Sequence, residues 1–229
     1  KAAPNGWVME YYIGKDYSLG GITLLCRFDG QRVTMASQMS EADETVSSLY
    51  SVKSEQATML SFDTYNYLVH YFGQPQGSMS DDPNGTLGGD YEFIISSASA
   101  ERIELKGKKY GNRIVMKALT EDQTWKQYLT KIKKVEDDAF FYEYDLLMDG
   151  LYTGQMIRSN YTFIVTYYDE IGKVHQKTVP FMFTADGLRF HEPVTIDGQT
   201  MQNFVWKNEL ISFVCTDEGA TGVKLAGVY

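Results

Sequence analysis

Histidine is the side chain best suited to move a proton near neutral pH. The 229 residues hold three, His70, His175 and His191, far apart and each in or beside a strand-like pattern. Their spacing matches no compact zinc motif, so satisfied structural roles are expected of them, and no metal. GxxxxGK[ST], GxGxxG after a strand, GxSxG, HExxH and CxxC are all missing, which removes the short signatures of phosphate cradles, nucleophile elbows and zinc proteases. Glycoside hydrolysis needs two carboxylates at a fixed separation, and nothing ranks a pair among the 30 Asp and Glu. Catalysis is therefore not expected. A carboxylate-dependent hydrolase acting on polysaccharide or peptidoglycan stands as the alternative.

Two stretches carry other chemistry. GSMSDDPNGTLGGDYE crowds the oxygen ligands Asp81, Asp82, Asn84 and Asp90 into a Gly-rich loop, a donor set that suits Ca²⁺. It lacks the alternating order and distal Glu of a calcium loop, and Asp-Pro-Asn-Gly is an ordinary turn. A solvated acidic loop is the preferred reading, with no cofactor. DTYNYLVHYF reads as a strand that is aromatic or apolar on both faces, with Tyr67, Val69 and Tyr71 on one and Leu68, His70 and Phe72 on the other. Tyrosine is apolar with a polar tip, so Tyr65, Tyr67, His70 and Tyr71 are the expected ligand-binding set. The partner would be a glycan, a small molecule or another protein. Core packing is the competing reading, as it is for Tyr11, Tyr12 and Trp206.

Alternation dominates the elements that must position these groups. WVMEYYI sets Trp7, Met9 and Tyr11 against Glu10, and YEFIIS, RIELKG and NRIVMKAL follow the same rule, the pattern of half-buried antiparallel strands. Hairpins are expected at Asp29-Gly30 and Gly111-Asn112, and about nine strands between Trp7 and Leu119. The period then changes: Trp125, Tyr128, Leu129 and Ile132 form one helical stripe, with Thr120 and Gln123 as a capping box. Beyond it, NYTFIVTYYDEIGKVHQKTVPFMFTADGLRF reads as strands turning at 170–172 and 185–187. A further turn falls at Asp197-Gly198, ELISFVC adds a strand, and the Gly-rich tail GATGVKLAGVY pairs weakly or frays. Cys26 and Cys215 both sit in strands and read as buried small hydrophobes. The segments MLSFDTYNYLVHYFGQP and PFMFTADGLRFHEP echo one another faintly, as two copies of one module would.

The fold expected is mainly β: two antiparallel modules, the first a lipocalin-like barrel or half-barrel, joined by a short helix. The boundaries are 1–119, 120–137 and 138–229; a single continuous sandwich is the alternative. The formal charge of -9 argues against nucleic acid, whose phosphates need basic surface. No apolar run approaches the roughly 20 residues of a membrane helix.

GWVMEYY, SLYSVKSEQATMLSFDTYNYLVHYF, GGDYEFII, IELKGKK, the WKQYL helix and FTADGLRFHEP together make the chain resemble a family of Bacteroidetes secreted lipoproteins, known only as domain of unknown function 4302. The resemblance covers most of the chain. It implies a β-rich, exported protein held at the cell envelope by a lipid anchor, and it supplies no functional residues to transfer. The opening KAAPNGW has neither a basic n-region nor an apolar h-region, so this location rests on the resemblance. A non-catalytic envelope binding protein is the leading expectation; an accessory subunit with a buried aromatic face is a third.

Overall fold

The computed structural model describes residues 3–54, 57–75, 85–120, 122–169 and 171–229. It divides into two compact units, one reaching Leu129 and the other comprising Thr130–Tyr229 with Leu19–Gly21. Each unit contains a closed ring of eight antiparallel strands.

The first ring is built from β1 (Trp7–Ile13), β2 (Gly20–Asp29), β3 (Arg32–Ser37), β4 (Val46–Ser54), β5 (Thr58–Phe62), β6 (Glu92–Ala98), β7 (Arg102–Gly107) and β8 (Arg113–Ala118). Each strand pairs with the next, and β8 returns to β1 with Met9 opposite Met116 and Tyr11 opposite Ile114. This is the up-and-down barrel of lipocalin type, with eight strands where the sequence suggested about nine. Hairpins form at both expected turns, Asp29 facing Arg32 and Lys106 facing Arg113. Register aligns Met9, Met116 and Ile103 on one face, with Cys26 and Met35, and Val52 and Leu60, continuing it around the ring.

The half-buried reading of β1 needs correction, because all seven residues are buried. The reason lies on its outer face, where Val8, Leu25 and Ala36 pack against Leu119 and Leu129. Leu129 belongs to α2 (Trp125–Asp138), the expected helix. Its cap is shifted, however: the Thr124 hydroxyl accepts from Gln127 N–H at 3.2 Å and the Gln127 side chain accepts from Thr124 N–H at 3.1 Å. That reciprocal pair is a capping box, and it displaces the one expected at Thr120 and Gln123. It starts the helix at Trp125, whose indole N–H donates to Asn5 O at 2.8 Å.

The second ring comprises β9 (Glu143–Met148), β10 (Leu151–Ser159), β11 (Thr162–Tyr168), β12 (Val174–Phe183), β13 (Gly187–Ile196), β14 (Gln199–Lys207), β15 (Ser212–Cys215) and β16 (Val223–Val228). Asp197 and Gly198 both have positive φ, 46° and 76°, as a two-residue hairpin turn of type I′ requires. The tail does not fray. As β16 it pairs with both β15 and β9 and closes the ring, because Val223 and Leu225 have a core to enter. The two echoing segments also differ, since PFMFTADGLRFHEP is the β12–β13 hairpin and its counterpart turns helical after β5. Cys26 and Cys215 are buried and free.

Candidate functional site

The first barrel is stopped at one end and open at the other. At the stopped end Tyr11 turns inward between Phe93 and Phe72, meeting both rings edge-on at 5.8 and 6.2 Å. Its hydroxyl donates to Asp90 O and accepts from Asp90 N–H, both at 2.8 Å. Burial pushes the Tyr11 phenol far above its ordinary pKa, so it stays a neutral hydrogen-bonding group. The Asp90 carboxylate accepts from the backbone N–H groups of Lys109, Tyr110 and Asn112. A Cβ at Gly107 would stand 1.9 Å from that carboxylate, so the turn works only with glycine there.

Asp90 is thus engaged as the cap of the β7–β8 turn, which removes it from the Ca²⁺ ligand set considered above. Asp81, Asp82 and Asn84 lie outside the described residues. Among the described residues, no group of three or more His, Cys, Asp or Glu is placed to hold a metal.

The segment that supplies Phe72 is not the strand that its sequence suggested. It forms α1 (Tyr67–His70) followed by a short 3-10 turn at Tyr71–Gly73. The Asn66 side chain accepts from Leu68 N–H at 3.1 Å and donates to Ser48 Oγ at 3.1 Å, an N-cap that starts the helix. Leu68, Val69 and Phe72 are buried, and their spacing of one, then three, is helical rather than alternating. Asn before that spacing was the available signal.

The helix separates the four residues expected to bind ligand. Tyr65 and His70 lie together with ring centres 5.6 Å apart, and His70 stacks on Tyr91 at 4.6 Å. Tyr67 and Tyr71 instead line a cleft with Leu68 and Phe72. The four do not form one platform.

At the other end, side chains from seven strands surround a cavity of about 280 Å³. Leu60, Leu105 and Met116 form its buried floor and Trp7 its wall. Phe28 and Tyr50 meet edge-on at 4.6 Å beside Val52, which is 56% exposed. Ile95 and Ile103 complete the rim. The β6–β7 register shifts between Ile95 and Ser97, a bulge at the barrel rim of the kind that re-aims side chains near binding sites. Sequence reasoning missed this cavity, since its residues come from dispersed strands and each looks like an ordinary core position.

Residues 1–208 match a family described as Domain of unknown function (DUF4302). The chain belongs to that family. The match takes in the whole first barrel, with both its stopped and open ends, and runs through β14 of the second. No curated protein and no solved structure matches the chain. The DUF4302 description names no chemistry, which leaves the functional reading to geometry.

Four carboxyl groups among the described residues have displaced pKa values. Asp43 is lowered by the Lys126 ammonium, Asp63 by a hydrogen bond from Ser61 and Asp169 by His175. For Asp217, burial acts upward but hydrogen bonds from Asn203 and Gln202 outweigh it. All four shifts run downward. No helix among the described residues is long and apolar enough to cross a membrane.

Proposed function

We propose that this protein is a non-catalytic binding protein of the cell envelope whose ligand is a small, uncharged, largely apolar molecule held in the mouth of the first barrel. The observation that carries the reading is the cavity of about 280 Å³ with a buried aliphatic floor and a half-exposed aromatic rim. Mouths of β-barrels are favoured ligand sites, and this volume lies near the lower end of the usual range. A small ligand fits it better than a long chain. Among the described residues the lining contains no charged side chain, and its floor offers carbon rather than the hydroxyl and amide partners a sugar needs. The envelope location and lipid anchor rest on the family resemblance.

Titration with N-phenyl-1-naphthylamine tests this reading. The intact protein is expected to enhance the dye's emission with one-site saturation. Ile103→Trp, which fills the mouth from a half-exposed rim position, is expected to weaken binding at least about tenfold, or about 1.4 kcal/mol, with an unchanged circular dichroism spectrum. Equal affinity in the folded variant, or emission that never saturates, would defeat the assignment.

A further inference from the structure

The helix that stops the first barrel also builds a second cavity. Tyr67, Leu68, Tyr71 and Phe72 join Ser37 and Met39 around a cleft of about 220 Å³. Leu68 and Phe72 are buried beneath it, while Tyr67, Tyr71 and Met39 keep more than a third of their surface exposed. Beside it, the Tyr67 hydroxyl donates to the Glu44 carboxylate. That bond raises the Tyr67 pKa, with burial and the charge of Glu44 adding to it. Glu41 and Asp43 precede Glu44 in sequence, and Asp43 already holds an ammonium, that of Lys126 at 3.0 Å.

We propose that this cleft binds an organic cation, an alkylammonium group whose carbon atoms lie on Tyr67, Tyr71 and Met39 while its charge faces the rings and Glu44. Aromatic faces carry negative electrostatic potential and attract ammonium groups. The methionine thioether is soft and conforms to methyl or methylene groups. The exposed Glu44 carboxylate, held beside the cleft by the Tyr67 hydroxyl, supplies a formal negative charge that attracts a cation and not its neutral counterpart. The net charge of -9 raises the local concentration of cations around the whole molecule. The site is independent of the barrel mouth, whose lining shares no residue with it.

The experiment is an aromatic-region NMR titration of the intact protein with choline chloride. Controls are 3,3-dimethyl-1-butanol, which has the same shape without the charge, and sodium chloride at matched ionic strength. Choline is expected to shift the Tyr67 and Tyr71 resonances saturably, with the alcohol binding about tenfold more weakly. Tyr71→Leu and Glu44→Gln should each reduce choline affinity by a similar factor while leaving N-phenyl-1-naphthylamine binding unchanged, which also reports that both variants are folded. Equal binding of the alcohol, shifts that sodium chloride reproduces, or choline affinity indifferent to both substitutions would overturn the proposal.

Discussion

The first strand of each barrel sends a tyrosine inward, Tyr11 from β1 and Tyr144 from β9, and each ring meets a phenylalanine edge-on. Beyond that shared feature the interiors diverge. In the second barrel Phe163 stacks on Phe181 at 4.3 Å, Phe181 meets Phe183 at 5.4 Å, and Phe190 lies 5.0 Å from Phe204. All of these rings are buried. In the first barrel a ring cluster fills the stopped end, whereas at the opposite end Trp7, Phe28 and Tyr50 stand around an open mouth over a buried aliphatic floor. Closing a ring of eight strands therefore does not dictate what fills it; side-chain volume at the inward positions decides between solid core and cup.

The largest test of this contrast is a pair of truncations. Phe181→Ala should lower unfolding stability in urea by about 3–5 kcal/mol, the cost of an aromatic cavity in a packed core. Ile103→Ala at the open rim should cost no more than about 1 kcal/mol, since that side chain is already partly solvated. Equal losses would mean the first barrel is packed at both ends.

Alkaline pH gives a smaller effect. Burial pushes the Tyr144 phenol up to about 12 from 10. The unfolded phenol ionises first, so unfolding releases a proton between those values and stability falls as pH rises through that window. The share due to Tyr144 should be on the order of 2 kcal/mol, and the loss should shrink by that amount in Tyr144→Phe while the share due to Tyr11, raised further still, persists, measured from urea midpoints on either side of the window. An unchanged pH profile in the variant would show that Tyr144 is not the group responsible.

Smallest is Thr124→Ala, expected to cost about 1 kcal/mol through loss of the helix cap. Because the start of α2 packs on Val8, Leu25 and Ala36, the loss should appear in fluorescence dominated by Trp7 and Trp125. A change confined to Trp206 emission would contradict that placement.

Much of the architecture was legible because it is local. Asp29-Gly30 and Asp197-Gly198 declare their hairpins through backbone chemistry, and the Trp125–Ile132 stripe declares its helix by period. Ring closure was not, because β1 finds β8 more than a hundred residues away and no local signal encodes that pairing. The tail was misread for the same reason: Gly227 looks like a breaker until Tyr144 stands opposite it. At the site, DTYNYLVHYF concealed a one-turn helix because a segment so short and apolar on all sides has no clear period. The cup was hidden more deeply, as no sequence pattern distinguishes an inward side chain with a neighbour from one facing space.

Sequential pairing also sets an order of assembly during synthesis. The first ring has every strand it needs once Ala118 has emerged from the ribosome, whereas the second needs Val228. Until then β9 presents an unpaired edge, the kind of surface that recruits other chains. The nascent protein can thus carry a finished cup while its partner barrel is still an open sheet, and that interval is when a chaperone has most to protect.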